Sequence, residues 1–279
     1  MRNFKVNTEH GFGCRTCRDE DEESFVSDIV EVRGVKIGEG IPKIIVPIVG
    51  KTREEILEAA ASFKDVRMDI VEWRADWFED VFDPEIVKDV LKELRIALGN
   101  TPILFTFRTS KEGGEKAIGE KAYEELNIGA AQTGLVDLVD VEAFTGDEIV
   151  RRIIVAAHRA GVKVVASNHD FEKTPEKDEI VRRLRRMQEM DADIPKIAVM
   201  PQNKKDVLVL LSATEEMATE YADRPIITMS MTGTGLISRL SGEVFGSSCT
   251  FGAVGKTSAP GQMNAADLDT ILRSIHENI

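Results

Sequence analysis

Lys196 stands in the run Asp193-Ile194-Pro195-Lys196-Ile197-Ala198-Val199-Met200-Pro201. At a period of two, Lys196, Ala198 and Met200 share one face of a strand, and Ile197 and Val199 share the other. Apolar residues flank the lysine on both sides, and burial among them lowers a lysine pKa from its usual value of about 10.4. A lysine kept neutral in this way is a nucleophile able to condense with a carbonyl to an imine. A strand-end lysine that snorkels to solvent has the same local pattern, so its companions must decide between the two.

His169 ends the preceding apolar run, in Ser167-Asn168-His169-Asp170-Phe171. Adjacent parallel strands lie about 4.8 Å apart, so an imidazole and an amine placed this way can address neighbouring atoms of one substrate. An imine-forming lysine with a proton-carrying histidine can remove a proton next to a carbonyl. The other histidines have blander settings: His10 in a polar extension, His158 near the end of a helix and His276 in the last helix. Three earlier runs also finish in charge. Glu72 and Arg74 share a face, Arg108 precedes Lys111-Glu112-Gly113-Gly114, and Asp140 and Glu142 share a face. Barrels do bury paired polar networks, but unpaired buried charge costs several kcal/mol. Five successive runs delivering charge to one end therefore favour a catalytic centre.

The elements that must position these groups repeat one pattern from Pro42 onward: a short apolar run, a polar loop, an amphipathic helix. The eight runs are 43–49, 68–77, 102–108, 135–142, 163–170, 194–201, 225–231 and 247–254. Helix starts are expected at the capping boxes Thr52/Glu55 and Thr145/Glu148, at Asp83-Pro84 and Thr174-Pro175, and at Asn264, while Gly161 closes the fourth helix. Eight strand–helix units predict an α/β chain folded as a single (β/α)8 TIM barrel over 26–279, with chemistry at the C-terminal strand ends. A short β-hairpin is expected over Ile29–Ile37. Residues 1–25, ending in Asp19-Glu20-Asp21-Glu22-Glu23, read as a disordered acidic extension.

The last two loops are suited to holding a ligand. Arg239 follows Thr232-Gly233-Thr234-Gly235, and a guanidinium binds a carboxylate bidentately. Ser258 and Gln262 lie in Gly255-Lys256-Thr257-Ser258-Ala259-Pro260-Gly261-Gln262, which could close as a lid or simply connect two elements.

The chain has 279 residues and a formal net charge of -13, which argues against nucleic acid or an anionic membrane as partner. No apolar run approaches the roughly 20 residues of a membrane span, and the N-terminus lacks the apolar core of a signal peptide, so a cytoplasmic location is expected. Cys14 and Cys17 form a lone CxxC pair, and with only His10 nearby they fall short of a zinc site.

The set Glu72-Trp73-Arg74, Phe107-Arg108, Lys111-Glu112-Gly113-Gly114, Ser167-Asn168-His169-Asp170-Phe171, Pro195-Lys196-Ile197-Ala198, Ser238-Arg239 and Ser258-Ala259-Pro260-Gly261-Gln262 closely resembles type I 3-dehydroquinate dehydratase. The opening Gly38-Glu39-Gly40 and Lys43-Ile44-Ile45-Val46-Pro47 is similar to that family's start, so the likeness spans roughly Val35 to Ile279 and leaves residues 1–25 outside. The resemblance implies a lyase of the shikimate pathway, free of metal and cofactor, that converts 3-dehydroquinate to 3-dehydroshikimate by syn elimination through an imine. It assigns imine formation to Lys196, proton transfer to His169 and orientation of that histidine to Glu112. Arg239 would bind the substrate carboxylate. Glu72, Arg74, Arg108, Ser258 and Gln262 would hold hydroxyls or neighbouring groups, with Met229 and Phe251 as apolar walls. A cytoplasmic homodimer is the form the family implies. Two alternatives use the same barrel logic: a Schiff-base aldolase acting on a sugar phosphate, separable by an assay for carbon–carbon cleavage, and a non-catalytic binding barrel, separable by turnover.

The aperiodic acidic extension contributes little to a core. Truncating residues 1–25 is therefore expected to leave turnover and unfolding cooperativity nearly unchanged. A large loss of activity or a change of oligomeric state would assign that segment a role.

Overall fold

Alternation with a period of two sorts every barrel strand into an inward and an outward row. The computed structural model describes residues 28–255 and 258–279. The extension, with Cys14 and Cys17, lies outside the described residues. An antiparallel hairpin comes first, β1 (Val30–Val32) and β2 (Val35–Ile37), turning at Arg33 and Gly34, both with positive φ. Eight parallel strands follow: β3 (Lys43–Ile48), β4 (Ile70–Arg74), β5 (Ile103–Thr106), β6 (Leu138–Glu142), β7 (Lys163–Asp170), β8 (Ile194–Val199), β9 (Ile227–Ser230) and β10 (Cys249–Ala253). A two-residue strand, β11 (Met263–Asn264), adds to the outer side of β10. The (β/α)8 expectation holds, with strand ends within a few residues of the predicted runs.

The inward row begins apolar. Ile45, Ile70, Leu104, Leu138, Val165, Ile194 and Ile227 form one buried cluster with Phe251, and the hairpin residues Val30, Val32 and Ile37 pack onto it as a floor. The outward row, including Val71, Trp73, Val139, Val141, Ile197 and Val199, packs against the helices in a second cluster. Those helices are α1 (Arg53–Ala61), α2 (Pro84–Leu98), α3 (Glu120–Gln132), α4 (Asp147–Arg159), α5 (Lys177–Glu189), α6 (Lys204–Glu216), the short α7 (Leu236–Leu240) and α8 (Gly242–Phe245), and α9 (Ala265–His276). Among the described residues no helix is long and apolar enough to cross a membrane.

Three caps form as predicted. Thr52 accepts from the Glu55 amide, Asp83 accepts from the amides of Glu85 and Ile86 with Pro84 at the first helical position, and Asn264 accepts from Ala266. Gly161, at φ 75, follows the end of α4. Two expected starts are corrected. Gly146, not Thr145, precedes α4, because the Thr145 hydroxyl donates to the Glu142 carbonyl. Glu176 precedes α5, because Thr174 donates across to the Met200 carbonyl. In both places the threonine satisfies a loop carbonyl instead of a helix amide.

The sheet does not close by a full ladder between β9 and β10. A single bridge joins Ile226 and Ser247, and the Ser248 amide donates to the Ile226 carbonyl at 2.8 Å. The buried Ser247 hydroxyl takes over the next position, accepting from the Thr228 amide at 3.0 Å. Register across the other strands sets Thr106 opposite Asp140, Glu142 opposite Ser167, Ser167 opposite Lys196, and His169 opposite Ala198. Polar inward side chains therefore sit side by side, directly above the apolar layer.

Ser247→Ala would leave the buried Thr228 amide without its partner at this seam, at a cost of about 1–3 kcal/mol. Denaturant unfolding should show that loss, and an unchanged midpoint would mean that the seam is held elsewhere.

Candidate active site

The Lys196 ammonium, only 3% exposed, lies 3.1 Å from Asp140 Oδ2 and 4.6 Å above the centre of the Phe251 ring. The expectation that apolar residues alone surround this amine is corrected here: one side is aromatic, and the other is a fully buried carboxylate. The other oxygen of Asp140 accepts from the Ser167 hydroxyl at 2.6 Å and from Arg108 Nη2 at 2.8 Å. Burial alone would raise this carboxyl, but the Arg108 and Lys196 charges outweigh it and hold Asp140 below its ordinary value. Arg108 reaches Ser167 Oγ at 2.9 Å and Glu142 Oε1 at 3.2 Å through Nη1. Its guanidinium is stabilised in the charged form by Asp140 and Glu142 against the opposing effect of burial. Glu142 in turn accepts from the amide and the hydroxyl of Thr109.

His169 and Glu112 meet from different elements. Glu112 ends a single helical turn, Ser110–Glu112, in the loop after β5. That loop folds back tightly because residue 114 is glycine: a Cβ there would lie 1.9 Å from the Arg108 carbonyl oxygen. The Glu112 carboxylate accepts from the His169 amide at 2.9 Å and from the Asn168 side chain at 3.1 Å, and it lies 3.0 Å from His169 Nδ1. With the carboxylate as acceptor, Nδ1 carries the proton and Nε2 is left free to accept one. Burial pushes the Glu112 carboxyl up to about 7, with Arg108 pulling against it and Glu142 adding to it. Burial first, then the cations Arg108, Lys196 and Arg74, holds the imidazole well below its ordinary value. A neutral histidine is the form a general base needs.

Two further arginines bound the site. Arg74 is clamped bidentately by buried Asp76, at 2.8 and 2.9 Å, and donates to the Ser258 carbonyl at 3.3 Å. Arg239, 2% exposed, donates to the Pro260 carbonyl at 3.2 Å and contacts Met229 Sδ at 3.5 Å, and its Nε has no partner among the described residues. Burial without a facing carboxylate brings its guanidinium down to about 10. Both loop carbonyls are thus held by arginines of the site. The Ser258 amide and hydroxyl close a ring with the Gln262 side chain at 2.9 and 3.0 Å. Thr106 on β5 donates to Glu72 on the neighbouring β4 at 2.9 Å.

One pocket brings together all eleven residues singled out in the sequence: Glu72, Arg74, Arg108, Glu112, His169, Lys196, Met229, Arg239, Phe251, Ser258 and Gln262. Gly113, Phe171, Ala198, Met231 and Ala259 complete the lining. Sequence reasoning gave Phe171 no role, because it lies just past the end of β7 where strand alternation no longer applies. Its ring lies where a Cβ at Gly113 would come within 2.4 Å. Asp76 and Asp140 were also left without roles, since only the fold shows which cations they hold.

A family model described as type I 3-dehydroquinase matches residues 44–279. The chain belongs to the type I 3-dehydroquinase family. It is 57% identical over 250 residues to a 3-dehydroquinate dehydratase of Clostridioides difficile (strain 630), covering 90% of this chain and 98% of that one. Identity is 55% over 251 residues to a 3-dehydroquinate dehydratase of Clostridium botulinum (strain Eklund 17B / Type B), covering 90% and 99%. The crystal structure of type I 3-dehydroquinate dehydratase from Clostridium difficile with covalently modified comenic acid superposes with a TM-score of 0.89 at 56% identity, covering 91% of this chain and all of that one. The β1–β2 hairpin and the N-terminal extension precede the matched region.

The Glu112–His169 pair predicts an acid limb. Above about 7 the Glu112 carboxylate accepts the Nδ1 proton and leaves Nε2 free. Below it the carboxyl is protonated and turns a donor toward Nδ1, so the proton moves to Nε2 and the base is lost. kcat/KM should therefore fall as pH drops through about 7. Glu112→Gln, which cannot titrate, should flatten that limb and lower the plateau at least about tenfold, within the scale of general acid–base assistance. A limb that persists unchanged in Glu112→Gln would assign it to another group.

Proposed function

We propose that this chain dehydrates 3-dehydroquinate to 3-dehydroshikimate by syn elimination through an imine on Lys196. After its ammonium gives up one proton, Lys196 Nζ attacks the C3 carbonyl; two nitrogen protons in all leave with the ketone oxygen as water, and the iminium that remains draws electrons from the adjacent C2–H bond. His169 Nε2 accepts that proton, and the resulting enamine expels the C1 hydroxyl, which takes the same proton from His169 and departs as water. Hydrolysis of the conjugated iminium releases the product and frees the lysine. The water lost on imine formation is regained on hydrolysis, so one water leaves overall. The iminium is itself the electron sink, and the sequence of steps calls for no metal or cofactor.

The observation that carries this proposal is the buried guanidinium of Arg239, which meets no carboxylate among the described residues, in the same pocket as Lys196 and the His169–Glu112 pair. Leaving a buried cation uncompensated is expensive, and an incoming carboxylate relieves that cost. A chain of net charge -13 can bind an anion because Arg74, Arg108 and Arg239 converge at this one place. Glu72, Arg74, Arg108, Ser258 and Gln262 are assigned to the hydroxyls and neighbouring groups, and Met229 and Phe251 to the apolar face of the ring. A cytoplasmic homodimer is the form this reading carries with it.

The two central residues are separable by what each variant can still do. Lys196→Ala lacks the amine, so borohydride with 3-dehydroquinate should trap no adduct, and turnover should vanish. His169→Ala should still form the imine and be trapped on Lys196, while kcat falls by about 10²–10⁴-fold, the range for general acid–base catalysis. Peptide mass mapping locates the adduct, and matched melting temperatures check the fold. Near-normal turnover in Lys196→Ala would sink the imine mechanism.

A further inference from the structure

We propose that Asp140 is the counter-ion of the Lys196 nitrogen in both its ammonium and its iminium forms, keeping the imine protonated so that it can act as the electron sink. This rests on the imine mechanism above. It is carried by the way the two oxygens of Asp140 are divided. Oδ1 is occupied by Ser167 at 2.6 Å and by Arg108 at 2.8 Å, whereas Oδ2 faces Lys196 Nζ at 3.1 Å. Neither side chain can escape to water, since Asp140 is fully buried and Lys196 nearly so.

The position of Asp140 does not depend on the lysine. Arg108 is held independently by Glu142 and Ser167, and Ser167 lies opposite Lys196 in register. The carboxylate therefore stays in place when the ammonium becomes part of a covalent adduct.

The charge balance fits one counter-ion for both forms. An ammonium and a ketone give an iminium and a water: two of the three nitrogen protons leave with the ketone oxygen, one stays, and the single positive charge is conserved. The remaining N–H meets the one oxygen that no other group occupies. Asp140 itself stays ionised, because Arg108 and Lys196 outweigh the effect of burial. Removing the C2 proton then neutralises the nitrogen as an enamine, while His169 takes up the charge. A bare carboxylate would oppose that step by over-stabilising the iminium. Sharing its charge with Arg108 and Ser167 moderates the pull.

The titratable groups facing this pair are Arg108 from the β5 loop, Glu142 on β6, Tyr123 on α3, His169 on β7, Glu112 from its loop and Cys249 on β10. Asp140 is the only one of them in hydrogen-bond contact with Lys196 among the described residues.

The test measures trapping of 3-dehydroquinate on Lys196 by cyanoborohydride, which reduces a protonated iminium far faster than a neutral imine. Trapping rate and kcat are followed across a pH series in the wild-type protein, Asp140→Asn and Ser167→Ala. In Asp140→Asn the pH at which trapping is half-lost should move down by at least about one unit, a tenfold change in the protonation equilibrium. kcat should fall most at alkaline pH. Ser167→Ala strips a donor from Oδ1 and strengthens the pull of Asp140, so its midpoint should move upward. A merely structural Asp140 would lower stability without moving either midpoint. A folded Asp140→Asn with the wild-type midpoint overturns the assignment. If Asp140→Asn does not fold, Ser167→Ala decides alone, and no upward shift there overturns it. Absence of any Lys196 adduct in the wild-type protein would instead remove the imine mechanism itself.

Discussion

The buried ion pair between Lys196 and Asp140 is the constraint that the rest of the site is arranged around. Two charges taken out of water lose solvation that their mutual attraction repays only with good geometry and further hydrogen bonds. Here the further bonds come from Ser167 and Arg108, and Arg108 draws in Glu142, which draws in Thr109. The network runs across β6, β7 and β8 and the loop after β5. Strand register brings its members together, so the polar layer and the barrel specify each other.

Charge within the cavity is nearly balanced. Arg74 has Asp76, Arg108 has Asp140 and Glu142, and Lys196 has Asp140. Arg239 alone among these cations lacks a carboxylate in the described structure. It leans instead on the Pro260 carbonyl, as Arg74 leans on that of Ser258. The loop after β10 is therefore tied to two arginines of the site, one of them the cation without a carboxylate. Gly261 permits this approach, since a Cβ there would lie 2.4 Å from the Thr232 carbonyl oxygen.

Two carboxylates a short distance apart are driven in opposite directions by their surroundings. Asp140 is held ionised by Arg108 and Lys196, whereas burial lifts Glu112 to about 7. Environments that separate titrating groups in this way divide fixed electrostatic work from proton-linked work. Asp140 suits the first and Glu112, through His169, the second.

The eight strand–helix units, the inward faces of their strands and the charged strand ends were legible in the sequence, because alternation and capping are local signals. The residues that could do the chemistry were legible too, since Lys196, His169, Glu112 and Arg239 each stand at a strand end or in the loop beyond it. Pairing was not legible. That Asp140 faces Lys196 across 3.1 Å, that Asp76 clamps Arg74, and that Arg74 also reaches the Ser258 carbonyl depend on register and barrel curvature, which join residues 56, 2 and 184 positions apart by similarly short distances. The capping errors at Thr145 and Thr174 have the same origin: a hydroxyl chooses between a helix amide and a loop carbonyl only once both are in place. Local pattern determined which groups arrive at the top of the barrel. Tertiary structure decided which of them neutralise one another, because Coulomb and hydrogen-bond energies depend on distance in space and not along the chain.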